Sequence, residues 1–153
     1  MHLTYFLPKR YAPSKALLVG SVQAGTPLDA HPHQVRRRFH IPLPFRRFNM
    51  VVLMVEGDSM TLPDGDGLPH GSFALVNLDE ILSERGYVYA FRLADGSHII
   101  KRLHLYNGRP AAFSDNTDHA TITLDRTIRN IGRVYAMSRD GRTWESVKYR
   151  GRP

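Results

Sequence analysis

The chain has 153 residues, no cysteine, and 21 Lys and Arg against 14 Asp and Glu, a formal charge of +7. That length is one ordinary domain, able to take roughly two-thirds of its chain surface out of water, and 42% hydrophobic with 23% charged residues excludes a disordered or collagen-like chain. The missing cysteine excludes a disulfide scaffold, a thiolate metal site and a cysteine nucleophile, and fits a reducing cytosol.

The charge is unevenly spread. Residues 1–60 hold 8 basic and 3 acidic groups, 61–100 hold 2 and 6, and 101–153 hold 11 and 5. Basic ends around an acidic middle favour nucleic acid or an acidic partner, but say little about fold. No apolar run approaches the roughly twenty residues that span a bilayer, and the first residues, MHLTYFLPKRY, lack the basic-then-apolar order of a secretory leader. The expectation is a cytoplasmic protein with no membrane partner.

Six of the ten prolines fall in residues 1–48. Proline removes a backbone donor and resists helix and central strand, so 1–48 reads as an extended N-terminal arm with short strands, and 49–153 as the β domain. From Asn49 the pattern is β. Residues 50–55 are a short apolar run suited to a strand covered on both faces, and 72–77 alternate. Residues 87–93 (YVYAFRL) and 97–105 (SHIIKRLHL) flank Asp95-Gly96, a hairpin signal. Asn107-Gly108 marks a second turn before 110–113. Further strands are expected at 121–124, 131–137 and 143–148, the last two joined through Asp140-Gly141. A short helix is predicted over 78–85. No repeat or heptad is present. Many short strands with turns about every ten residues predict a mainly β chain of short antiparallel strands, a partly closed barrel or sandwich.

Three features carry chemistry. Gly57-Asp58-Ser59-Met60 follows the apolar strand, where a serine either presents its hydroxyl on a sharp turn or caps a helical turn. Lys101 lies in His98-Ile99-Ile100-Lys101-Arg102-Leu103, where the strand period puts Ile99, Lys101 and Leu103 on one face and Ile100, Arg102 and His104 on the other. A lysine on an apolar face either loses proton affinity by desolvation, and can then act as a general base, or snorkels its head to water. Ala24-Gly25, held extended by Pro27, either suits a narrow protease cleft or is a hinge.

Together, and in this order, these pieces resemble the LexA/UmuD group of self-cleaving proteins, the S24 serine–lysine peptidases. Val55-Glu56-Gly57-Asp58-Ser59-Met60 resembles the family's nucleophile segment. YVYAFRL, Asp95-Gly96 and IIKRL resemble its lysine-bearing hairpin. Ser114-Asp115-Asn116 with Ile122 resembles its Asn-containing turn, residues 130–137 its closing strand, and Val22-Gln23-Ala24-Gly25 its scissile segment. The likeness spans roughly residues 20 to 140. It implies a LexA/UmuD-type catalytic domain with Ser59 as nucleophile, Lys101 as general base, Ala24–Gly25 as the scissile bond, and backbone N–H groups of Asp58, Ser59 and Met60 around the oxyanion. It implies no metal and no cofactor.

By the same resemblance the protein is a homodimer whose self-cleavage is favoured by a RecA filament on single-stranded DNA in the DNA-damage (SOS) response. Only 24 residues precede Gly25, with Pro8 and Pro13 among them, so the expected layout is UmuD-like, without a helix-turn-helix domain. A UmuD-like protein, once trimmed, serves an error-prone translesion polymerase, a Y-family catalytic subunit. One departure stands out. The segment 61–72 is longer than the family's usual loop, which motivates the alternative of a catalytically silent binding module holding RecA, a repressor or a polymerase through its basic arms. A signal-peptidase relative, which also uses Ser-Met and a lysine, ranks last because that family is membrane-anchored.

Weaker signals read as ordinary surface. His31-Pro32-His33 with His40 lacks a completing acid or cysteine and reads as a loop. Asp64-Gly65-Asp66-Gly67 lacks the remaining ligands of a calcium loop and reads as a turn. Arg36-Arg37-Arg38 and Arg46-Arg47, interleaved with Phe39, Phe45 and Phe48, have the composition of a single-strand grip. The reading taken is a strand edge with phenylalanines turned inward and arginines outward.

Overall fold

In the computed structural model, residues 11–22, 37–62 and 66–151 are described. Among the described residues ten strands form one sheet: β1 (Lys15–Val22), β2 (Arg38–His40), β3 (Met50–Val55), β4 (Phe73–Asn77), β5 (Val88–Arg92), β6 (His98–Tyr106), β7 (Arg109–Phe113), β8 (Ile122–Thr123), β9 (Arg129–Ser138) and β10 (Glu145–Ser146). The order across the sheet is β2-β1-β3-β4-β9-β5-β6-β7-β8, with β10 paired to β9. Among these strands β1 against β3 is parallel and every other pair is antiparallel. Among the described residues no pairing joins β8 back to β2, so the sheet is not closed into a barrel. It coils far enough for β1 to lie against β6, as a right-handed twist accumulated over many strands brings about. The expected mainly β fold of short antiparallel strands forms, with β1 against β3 a parallel exception and one open sheet in place of a partly closed barrel.

Alternation along the strands divides the core. Val52, Leu75 and Ala136 pack with Ala16, Phe39, Ile41 and Trp144 on one side. Leu53, Ala74, Val76, Val88, Ala90 and Ile100 pack with Met60 and Leu68 on the other. A bulge in β9 opposite Leu75 and Val76 puts the consecutive Tyr135 and Ala136 into the same cluster and sharpens the local twist. A third cluster, Tyr89, Phe91, Ile99, Leu103 and Ala112, sits under the β5–β6–β7 ribbon. The described part of the 1–48 segment joins this packing: β1 lies between β2 and β3, and Phe39 and Ile41 are buried.

Both signalled hairpins form. Asp95 accepts from the Ser97 N–H and hydroxyl at the β5–β6 turn. At the β6–β7 turn Asn107 has φ 52 and Gly108 φ 78, as a two-residue turn matched to strand twist requires. The strand expected over 143–148 shortens to Glu145–Ser146, still paired to β9 beyond Asp140-Gly141.

The helix predicted over 78–85 does not form; the segment is turns and bends. Side chains take the backbone groups a helix would use. The Asp79 N–H donates to Asn77 Oδ1, the Glu84 N–H donates to the Tyr89 hydroxyl, and that hydroxyl donates to the Leu82 carbonyl. Ile81 and Leu82 face solvent, so no apolar stripe offsets the nucleation cost of so short a helix. The one helical piece among the described residues is a 3-10 turn at Leu43–Phe45.

Candidate active site

β3 delivers Ser59. The strand ends at Val55 and the chain turns through Gly57, whose φ of 79 is a left-handed value open to glycine. The Gly57 N–H donates to His70 Nδ1 at 2.8 Å, which fixes the neutral ring as the Nε2–H tautomer. Ser59 is buried to 7% exposure, and Met60 beside it is sealed into the core.

The long segment after Met60 closes against that turn. The Leu68 N–H donates to the Met60 carbonyl at 2.9 Å, Leu62 to Asp66 at 2.8 Å, and Thr61 bridges Gly67. Gly67 has φ +90, and a Cβ on it would meet the Met60 carbonyl oxygen at 2.3 Å. Asp66 and Gly67 thus belong to a turn buttressing the serine; Asp64 and Gly65 lie outside the described residues.

β6 delivers Lys101. Residues 98–104 are buried throughout, and the two faces separate as the strand period requires: Ile100 enters one cluster, Ile99 and Leu103 another. Lys101 is 7% exposed, buried far more than a lysine that lays its stem along the surface and its head in solvent. Burial pulls its ammonium down from the ordinary lysine value to about 8, partly opposed by the Asp115 carboxylate. Its Nζ donates to Ser114 Oγ at 2.8 Å. On the opposite face Arg102 binds Asp115 in a two-pronged pair, Nε to Oδ1 at 2.8 Å and Nη2 to Oδ2 at 2.9 Å, and donates from Nη1 to the carbonyls of Gly86 and Lys148.

The turn after β7 ties the two deliveries together. The Asn116 N–H donates to the Ser59 carbonyl at 2.9 Å, and Asn116 Nδ2 donates to the Asp58 carbonyl at 3.2 Å. His119 Nε2 lies 2.7 Å from Asp58 Oδ1. A cavity of about 230 Å³ opens between these parts. Ser59 and Lys101 both line it, with Val55, Glu56, Ile99 and Ile122 as walls and His119 at its edge. A larger cavity of about 310 Å³ holds Arg102 and Asp115 and neither Ser59 nor Lys101. Among the described residues, the N–H groups of Asp58, Ser59 and Met60 donate to no backbone carbonyl outside a strand ladder.

The structure therefore places Ser59 and Lys101 in one apolar-walled cleft. Ala24 and Gly25 lie outside the described residues, as do His31 and His33. His40 is exposed at the end of β2. Of the basic cluster, Arg36 is outside the described residues. Arg37 stacks over Phe39 and Phe73, Arg46 donates to the Ile41 carbonyl, and Arg47 lies over Tyr135. Phe39 is buried, Phe45 half-buried and Phe48 exposed, so the expected inward turn of the phenylalanines fails at Phe48. Among the described residues no cluster of three or more His, Asp or Glu could hold a metal, and no helix is long and apolar enough to cross a membrane.

Sequence reasoning assigned no role to Ser114 or His119. The contact of Ser114 with Lys101 was legible: a two-residue turn at Asn107-Gly108 pairs Tyr106 with Arg109 and Arg102 with Phe113, and the next step sets residue 114 across from 101. Nothing in the sequence pointed to His119, whose place follows from the path of the 114–122 turn.

Fold and cleft together define a β-sheet protein with a serine just past a strand end and a buried lysine on one cavity. The Peptidase S24-like family model matches residues 16–135, and the chain belongs to that family of serine peptidases. No curated protein matches the chain.

Proposed function

We propose that this protein is a UmuD-like self-cleaving serine–lysine peptidase that cuts its own Ala24–Gly25 bond. The observation that carries the reading is the convergence of Ser59 and Lys101, both buried, on one cavity, with the lysine held near a pKa of about 8. Lysine at that value is neutral in a useful fraction near physiological pH and can take a hydroxyl proton.

In the proposed reaction the neutral Lys101 amine takes the Ser59 proton as Oγ bonds to the Ala24 carbonyl carbon. Backbone N–H groups at Asp58, Ser59 and Met60 face the oxyanion that forms. As that intermediate collapses, the C–N bond breaks, and Lys101 returns the proton to the departing Gly25 amine. Residues 1–24 are then an ester on Ser59. One water, deprotonated by Lys101, hydrolyses the ester and restores the serine. No step draws on a metal or a cofactor.

The apolar walls Val55, Ile99 and Ile122 suit an extended segment with small side chains such as Val22-Gln23-Ala24-Gly25. The regulatory part follows from the family resemblance. A RecA filament on single-stranded DNA shifts the population of the docked segment, in a homodimer, and the trimmed form serves an error-prone polymerase.

The test is intact mass after incubation at mildly alkaline pH, and separately with RecA, an ATP analogue and single-stranded DNA. The expected product is residues 25–153, absent in Ser59→Ala and Lys101→Ala. Cleavage that survives either substitution ends the dyad assignment. An unchanged mass in both conditions favours a silent binding module.

A further inference from the structure

We infer that Ser114 is a positioning residue for the base: its hydroxyl oxygen accepts one N–H of Lys101 and so turns the amine's lone pair toward Ser59. The inference rests on the Ser59–Lys101 reading above and adds to it a third side chain.

A neutral lysine amine has two N–H donors and one lone pair, on a stem of four rotatable carbons. Only a lone pair aimed at the hydroxyl can take its proton. Pinning one N–H restricts rotation about the terminal bond. Ser114 Oγ is the acceptor found there, at 2.8 Å from Nζ. Register puts it within reach: one step past the Arg102–Phe113 pair, position 114 faces position 101, and directly opposed side chains of neighbouring strands are in contact.

The two residues that follow Ser114 are both anchored. Asp115, the next residue, is locked by the two-pronged Arg102 pair, at 5% and 7% side-chain exposure. Asn116, one further, donates its N–H to the carbonyl of Ser59. One short turn thus grips the amine of the base and the backbone of the nucleophile, and fixes the distance between them. Of the charged or titratable groups, Asp115 on that turn acts on the amine, Glu56 and His119 line the same cavity, Arg102 lies on the opposite face of the strand, and Asp58 pairs with His119. Ser114 holds the amine without adding a charge to that set.

A hydroxyl that only satisfied a buried amine would leave the cleavage rate of folded protein unchanged. A positioning hydroxyl sets that rate. The experiment compares wild type, Ser114→Ala and Ser114→Thr by intact mass across pH 6 to 11, with thermal melting to confirm that each is folded. The Lys101 Cε resonance is titrated by NMR in the Ser59→Ala background, with and without Ser114→Ala.

In Ser114→Ala the high-pH plateau of the cleavage rate is expected to fall about 10- to 100-fold. The rate midpoint and the Lys101 titration should move to lower pH, because a lost acceptor disfavours the ammonium form. Ser114→Thr, which keeps the hydroxyl, should recover most of the rate. A plateau within about threefold of wild type in folded Ser114→Ala, or a midpoint that rises while the plateau holds, overturns the inference and leaves the cleavage reading standing. A wild type that does not cut at any pH ends the cleavage reading instead. The amine-holding contact is then read from the titration alone, and a Lys101 resonance unmoved by Ser114→Ala overturns it too.

Discussion

Among the described lysines, Lys15 and Lys148 are exposed and Lys101 is buried. That difference decides the pH dependence. With the amine at about 8, lowered chiefly by burial, the neutral form grows about tenfold per pH unit below that value and saturates above it. Cleavage measured as initial rate against pH should therefore climb to a midpoint near 8 and level off. A rate still climbing at pH 10 would mean a base that titrates as an ordinary lysine, not one lowered by burial. The sign for stability follows from the same group. Between about 8 and the unfolded lysine value the folded state has shed a proton that the unfolded state keeps, so stability rises with pH across that window and the burial cost stands in full below it.

The residue scale also shows what one sequence discloses. Alternation over Ile99, Lys101 and Leu103 was enough to put the lysine on an apolar face. It left open whether the head would reach water. The answer comes from β7 and the 114–119 turn, which cover the strand. Arg102 follows the same hairpin register: it stands opposite Phe113, two residues from its partner Asp115.

At the scale of elements, the site is a strand end, a strand middle and two turns pressed on them. The segment 61–72 is longer than resemblance to the family led one to expect, and its described parts pack on the serine turn: Thr61 bridges Gly67, and the Leu68 N–H donates to the Met60 carbonyl. Gly67 stands against the Met60 carbonyl at a positive φ. Gly67→Ala must move either the turn or the Ser59–Met60 backbone, at a cost of about 2 kcal/mol for the strained conformation and contact. A displacement of about 1 Å at a reacting group costs on the order of 100-fold in rate. The variant is thus expected to melt several degrees lower and to cleave about 100-fold more slowly. Wild-type cleavage in Gly67→Ala would show that this turn does not set the position of Ser59.

The strands were legible because burial on one or both faces writes itself into the side-chain period, and the hairpins because Asp95-Gly96 and Asn107-Gly108 demand particular backbone angles. Residues 78–85 were not, because helix propensity there competes with Asn77 and Tyr89, whose hydrogen bonds to that segment are set by the strands they sit in.

At the scale of the whole molecule, the scissile bond proposed at Ala24–Gly25 has a consequence for the sheet. β1 ends two residues before Ala24 and lies between β2 and β3. It pairs with β3 from Leu17 to Val22 and with β2 from Lys15 to Leu17, and Ala16 is buried beneath it. A cut at residue 24 severs this strand from the domain covalently, yet breaks none of these pairings. The fragment of residues 1–24 is therefore expected to co-elute with residues 25–153 on size exclusion and to separate only in denaturant.

Once it leaves, β3 loses a neighbour from Val51 to Val55 and the half-buried Leu17, Leu18 and Val19 no longer cover the core. Their loss is worth about 3 kcal/mol by area, which for a domain of this size lowers the melting temperature by roughly 10 °C. Residues 25–153 expressed alone should then melt about that much lower than the nicked complex, and should regain the difference when a synthetic peptide of residues 11–24 is added. Equal melting temperatures would mean that β1 contributes nothing to the sheet. A gain on adding the peptide would make release of the first strand, rather than the cut itself, the step that exposes the edge of β3 to another chain.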